Sequence, residues 1–158
     1  MKGVTFTCIW QSPEYYDEVK AFWQDLKVMP AGVSIDERAK QLVFMAKVDG
    51  KVIGVSTAER LQINRLNGKY LYSMRMLSHP KHRYPGFDSK ICLLTRDRLQ
   101  EEFVAGKTDC IGMITVVQQP EMQAGRSEAI WPVSKLMFMG LGPQGQHVRV
   151  YYFPGATV

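Results

Sequence analysis

The first half of the chain alternates apolar and polar residues in short runs separated by turn residues. Two such runs, Leu42–Val48 and Lys51–Glu59, flank Asp49-Gly50, a pair that supplies the positive φ angles of a tight hairpin. A third run, Lys69–Leu77, follows a second turn pair, Asn67-Gly68. We therefore predict an antiparallel meander in the middle of the chain.

The N-terminal region combines one strand pattern with helical patterns. Val4–Trp10 is β-branched and aromatic, which is typical of a strand. Ser12 is expected to cap a helix with Pro13 at its first position, and this helix ends before Pro30. A shorter, partly helical segment is expected around Ile35–Gln41.

The C-terminal half begins with a long helix and becomes less regular. Phe87–Ala105 carries apolar residues at helical spacing, and Asp109–Val117 reads as a buried strand parallel to the strand before the helix. A further helix, interrupted or begun anew near Pro132, is expected within Glu121–Gly140, and a closing strand over His147–Phe153. The predicted fold class is α/β (α+β): a mixed, mostly antiparallel central sheet flanked by helices.

Composition bounds the class of protein. The 158 residues are 46% hydrophobic and 22% charged, and no linker or repeat divides them, so we predict one globular domain over residues 1–158. No apolar stretch approaches the length of a membrane span, and the N-terminus makes a poor signal peptide. We therefore expect a cytoplasmic protein without a membrane partner.

Charge and cysteine content indicate which classes of partner and metal to expect. The excess of Lys and Arg over Asp and Glu, 20 against 15, favours anionic partners. The basic residues are dispersed, so a nucleic-acid partner is not expected. Three cysteines without CxxC spacing indicate neither a disulfide framework nor a zinc site, and His79-x-x-His82 lacks further metal ligands. No metal is predicted, and a homodimer is left open.

The segment from Met76 to Ile91 carries the most specific chemistry. A strand ends in His79-Pro80, and Arg83-x-x-Gly86-x-Asp88 opens the long helix. A helix N-terminus has unpaired N–H groups and a positive partial charge, so it can accept a pyrophosphate. Gly86 would let the backbone approach that anion.

This strand, loop and helix resemble the signature region of the GNAT superfamily of acyl-CoA N-acyltransferases. The resemblance implies acetyl-CoA as co-substrate and a primary amine as acceptor. It also implies a pantetheine arm running beside the strand that enters the loop. The coenzyme-binding residues expected on this basis are Met76, Ser78, Arg83, Tyr84, Gly86, Phe87 and Ser89.

The chain departs from the family pattern at the catalytic positions. Arg75 stands where a Glu is expected, and Leu136 stands where a Tyr is expected. Glu59 is the candidate substitute for a base acting through water, and Ser134 is the candidate donor to the thiolate. The leading hypothesis is a GNAT-type N-acetyltransferase; the alternative is a catalytically inactive GNAT-fold binding or regulatory module.

Overall fold

A computed structural model of the chain describes residues 1–118 and 127–158. The strands of this part of the chain are β1 (Val4–Cys8), β2 (Leu42–Val48), β3 (Lys51–Ile63), β4 (Lys69–Ser78), β5 (Cys110–Val116), β6 (Met137–Leu141) and β7 (His147–Tyr152). Its α-helices are α1 (Tyr16–Leu26), α2 (Ile35–Ala39) and α3 (Phe87–Val104). Short 3-10 turns cover Pro13–Tyr15 and Asn64–Leu66.

Within the described residues the strands form one mixed sheet in the order β1-β2-β3-β4-β5-β7-β6. β4 and β5 are parallel, as expected for strands joined through a crossover helix. The pairs β1–β2, β2–β3, β5–β7 and β6–β7 are antiparallel. The predicted α/β class, with a mostly antiparallel sheet and flanking helices, is confirmed.

The chain groups into two compact units, and the first comprises Met1–Ala58 and Met76–Thr95. Its core is built where α1 buries Val19, Phe22 and Trp23, spaced three and four residues apart. These side chains pack with residues of β2 and β3. The predicted Asp49-Gly50 hairpin is present, with both residues at positive φ.

The second unit comprises Glu59–Arg75 and Arg96–Val158. Leu71 of β4, Ile111 of β5 and Val150 of β7 form its buried apolar cluster. At the start of β5, Asp109 accepts two hydrogen bonds from the guanidinium of Arg60, which also stacks on the ring of Tyr70.

One expectation about helices is wrong, and another is correct in position only. Residues 127–141 contain no helix: Met137–Leu141 is a strand paired with β7, because pairing partners outweigh the local apolar pattern. The part of the expected helix over residues 121–126 lies outside the described residues. Ser12 and Pro13 occupy the expected N-cap and first positions of a 3-10 turn, but the Ser12 side chain makes no capping hydrogen bond, because its hydroxyl donates to the carbonyl of Trp10 at 3.3 Å.

In the described part of the chain, no helix combines the length and apolar character that crossing a bilayer requires.

Candidate active site

A tight turn sets the start of α3. The carbonyl of Tyr84 accepts a hydrogen bond from the amide of Phe87 at 3.0 Å, which closes a turn with Pro85 and Gly86 in the middle. Gly86 has a φ of +78°, the conformation that favours glycine at this position of a turn after proline. The carbonyl of Gly86 then accepts from the amide of Lys90, which continues the turn into the helix.

Several amides around this turn have no hydrogen-bond acceptor among the described residues. They belong to Arg83, Tyr84, Gly86 and Asp88. Unpaired N–H groups at the start of a long helix attract anions, and the helix dipole adds to the attraction. The carboxylate of Asp88 makes no hydrogen bond or ion pair in the described chain, so it does not occupy these amides.

The charges next to the turn are also unpaired. Lys81, Arg83 and Lys90 have no ion-pair partner in the part of the chain that the structure describes, and all three are exposed. Asp88 is the one acidic residue from Lys81 to Lys90. The segment therefore presents three cations and one anion at the helix start, which favours a ligand with several negative charges.

His79 organises the loop between β4 and α3. Its amide donates to the carbonyl of Ile53 at 2.7 Å, and its carbonyl accepts from the amide of His82. Its Nδ1 accepts a hydrogen bond from the amide of Lys81 at 3.1 Å. The sequence analysis did not identify this role for His79. The signal was its position two residues before Lys81 in a loop, because the imidazole ring can accept a hydrogen bond from that amide.

Phe87 anchors the first turn of α3. Its side chain is 2% exposed, and its ring lies 5.6 Å from that of Phe6 between centroids. Because its amide is already bonded to Tyr84, Phe87 does not donate a free N–H to a ligand. Phe87 therefore holds the helix start, and its predicted contact with a coenzyme stays a prediction.

The strand entering the loop extends past its partner. The pairing of β4 with β5 reaches Ser73, paired with Ile114, whereas β4 continues to Ser78. Met76 and Ser78 lie in this extension and are partly buried. Ser89, in the first turn of α3, is also partly buried.

Glu59 and Arg75 face each other across β3 and β4. Arg75 Nη1 donates to Glu59 Oε2 at 3.2 Å, and both side chains are nearly half exposed. Sequence reasoning considered the two residues separately and missed their pairing. The structure thus makes the candidate base one half of an ion pair.

Ser134 lies in the turn that precedes β6. The residue is 3% exposed, and its carbonyl accepts a hydrogen bond from Arg96 Nη1 at 2.7 Å. No hydrogen bond joins its side chain to Glu59 in the described residues. The two catalytic candidates are therefore not linked directly.

The described residues contain no group of three or more His, Cys, Asp or Glu side chains able to hold a metal ion. His79 and His82 contact each other edge to face, with ring centroids 5.2 Å apart.

Solved structures share this architecture over nearly the whole chain. An acetyltransferase of the GNAT family from Streptococcus pneumoniae matches with a TM-score of 0.61 and 11% identity, covering 95% of this chain and 99% of the other. A GNAT superfamily phosphinothricin acetyltransferase from Sinorhizobium meliloti, solved in complex with AcCoA, matches with a TM-score of 0.63 and 14% identity over 98% and 91% of the two chains. The chain has the GNAT fold.

A further structural match is Naa50 from Arabidopsis thaliana, in complex with the bisubstrate analogue CoA-Ac-MVNAL. It matches with a TM-score of 0.61 and 11% identity, covering 96% of this chain and 99% of that one. No protein-family model and no curated protein matches the sequence. At these identities the likeness establishes the fold, and the predicted GNAT resemblance is confirmed at that level.

Proposed function

We propose that the protein is an acyl-CoA-dependent N-acyltransferase that moves an acetyl group from acetyl-CoA to a primary amine. The observation that carries this proposal is the set of unpaired amides at the start of α3, at Arg83, Tyr84, Gly86 and Asp88. A pyrophosphate supplies the acceptor oxygens that these donors lack.

The coenzyme would be held by three groups of contacts. The amides and the Arg83 side chain bind the pyrophosphate, with Tyr84, Gly86 and Ser89 around it and Phe87 fixing the helix start. The main chain of Met76 and Ser78 pairs with the pantetheine as an added strand does, in the part of β4 beyond Ser73.

The acceptor amine arrives as an ammonium ion. Glu59, acting through water, removes one proton, and the nitrogen lone pair then attacks the thioester carbonyl. A C–N bond forms, the C–S bond breaks, and the nitrogen loses a second proton. The coenzyme thiolate takes up one proton, for which Ser134 is the proposed donor, so one proton reaches solvent. Orientation of the two reactants supplies much of the rate enhancement.

Isothermal titration calorimetry with acetyl-CoA and CoA tests the binding half of the proposal. Arg83→Glu should weaken binding about tenfold or more, because it reverses a charge beside the pyrophosphate. Lys51→Glu is the matched control, since Lys51 is exposed and makes no ion pair in the described chain. No binding to the wild-type protein at millimolar ligand would overturn the proposal.

Thiol release from acetyl-CoA with a panel of amines tests the catalytic half. Amine-dependent release is the expected result. Coenzyme binding without any such release would favour the alternative, a binding or regulatory module with the GNAT fold.

A further inference from the structure

The ion pair of Arg75 and Glu59 is made through a single nitrogen–oxygen contact, and we call it the open pair. One guanidinium nitrogen, Nη1, contacts one carboxylate oxygen, Oε2. Nε and Nη2 of Arg75 and Oε1 of Glu59 have no partner within the described residues. A guanidinium presents its donors as a planar fork that suits two carboxylate oxygens, so this geometry leaves binding capacity unused on both residues.

A second ion pair in the same unit provides a comparison. Arg60 donates through both Nε and Nη2 to the two oxygens of Asp109, and its guanidinium lies 3.3 Å from the centroid of the Tyr70 ring. The exposure of the two pairs is similar: the arginine side chains are each 49% exposed, and Glu59 and Asp109 are 43% and 56% exposed. Solvent exposure therefore does not explain why Arg60 makes two hydrogen bonds to its partner carboxylate and Arg75 makes one.

The open pair lies on the side of β4 that turns away from α3. The hydroxyl of Tyr151 donates to Oε1 of Gln100 in α3 at 2.9 Å, so Tyr151 lies on the α3 side of the sheet. Tyr151 pairs with Met113, and Met113 pairs with Tyr72, so Tyr72 is on that same side. Because side chains alternate along a strand, Arg75, three residues later, points to the opposite side. Arg75 also directly precedes Met76, a proposed contact of the pantetheine.

We propose that Arg75 and Glu59 bind the head group of a free α-amino acid as the acceptor, an inference that rests on the proposed function. The unused fork of Arg75 holds the carboxylate, and Glu59 receives the ammonium group. An α-amino acid carries these two charges on one carbon, so they lie side by side as the charges of the pair do. For an amino acid bound in this way, the first proton passes from the ammonium group to Glu59 directly, in place of the transfer through water, before the nitrogen attacks the thioester.

The test compares free amino acids with derivatives in which the carboxylate is replaced by an uncharged amide. Thiol release from acetyl-CoA is measured with the twenty L-amino acids and with the corresponding amino-acid amides, which keep the amine and the side chain. We expect release with one or more free amino acids and at least about tenfold less with the matching amides, as for the loss of a hydrogen-bonded charge.

Variants then assign the selectivity to the pair. Arg75→Gln should raise KM for the free amino acid about tenfold or more, and by clearly more than it changes KM for the matching amide. Arg75→Lys keeps the charge without the fork and should recover part of the loss. Arg60→Gln is the matched control and should leave both activities unchanged. Both arginines are surface residues with side chains 49% exposed, so these variants are expected to fold.

The outcomes separate this inference from the proposed function. No acetyl-CoA binding by calorimetry overturns the proposed function and the inference with it. Acetyl-CoA binding overturns the inference alone if thiol release is equal or greater with amides, or if no free amino acid causes release. Equal effects of Arg75→Gln on amino acids and amides also overturn it.

Discussion

A Cβ atom placed on Gly54 would lie 2.6 Å from Cζ of Phe87 and 2.8 Å from its Cε1. The same atom would lie 3.2 Å from the carbonyl oxygen of Leu77. Gly54 therefore provides the space in β3 into which the first residue of α3 packs. The position of the proposed pyrophosphate site depends on a residue that is distant from it in sequence.

Gly54→Ala should destabilise the protein by about 1–3 kcal/mol, because the added methyl overpacks the buried Phe87 ring. It should also weaken acetyl-CoA binding, since the helix start must move. Chemical denaturation and calorimetry measure the two effects. The double variant Gly54→Ala/Phe87→Leu makes room for the methyl and should be more stable than the sum of the single changes. A wild-type denaturation midpoint for Gly54→Ala would contradict the packing argument.

His79 should be replaceable by asparagine but not by leucine. An asparagine side chain can accept a hydrogen bond from the amide two residues later, as Nδ1 of His79 does from Lys81. Leucine cannot accept one, so His79→Leu should lower acetyl-CoA affinity about two- to tenfold while His79→Asn stays near wild type. Titration of both variants at neutral pH gives the comparison. Equal affinities would show that the loop does not depend on this hydrogen bond.

Local signals predicted much of the fold. Asp49-Gly50 and Asn67-Gly68 adopt positive φ at all four residues, so the turns and their flanking strands were readable from sequence. The start of α3 was predictable for a similar reason, because Pro85 followed by Gly86 favours the turn that precedes the helix.

Features that depend on distant partners were not predictable in the same way. Met137–Leu141 is a strand because β7 pairs with it, and its apolar residues alone are compatible with a helix. Glu59 and Arg75 are 16 residues apart and meet only because β3 and β4 are neighbours in the sheet. Residue types drew attention to Glu59 and Arg75 separately. Their ion pair could be predicted only by knowing how β3 and β4 align in the sheet.

Two buried hydroxyl groups connect α3 to β3 in the first unit. The oxygens of Ser56 and Thr95 are 2.7 Å apart; Ser56 also accepts from the amide of Phe44, and Thr95 donates to the carbonyl of Ile91. Ser56→Ala leaves the Phe44 amide without its acceptor and should cost about 1–3 kcal/mol, whereas Thr95→Val should cost about 1 kcal/mol. Thr95→Ser retains the hydroxyl as a control. Urea denaturation that ranks Thr95→Val as the more damaging change would contradict this assignment.

Alkaline pH should weaken the second unit through two buried groups. Burial raises the pKa of the Cys110 thiol above its ordinary value of 9.0, and burial likewise raises the pKa of Tyr72. Because the folded-state pKa of each is higher than in the unfolded chain, their stabilising contribution is complete below the unfolded-state pKa and is lost as the pH rises through the folded-state pKa. Thermal unfolding from neutral pH to about pH 11 should therefore show a smaller fall in Tm for Tyr72→Phe/Cys110→Ala than for wild type. Cys8→Ala, at an exposed thiol, is the control and should keep the wild-type slope. Parallel slopes for the wild type and the double variant would show that these groups titrate alike in the folded and unfolded states.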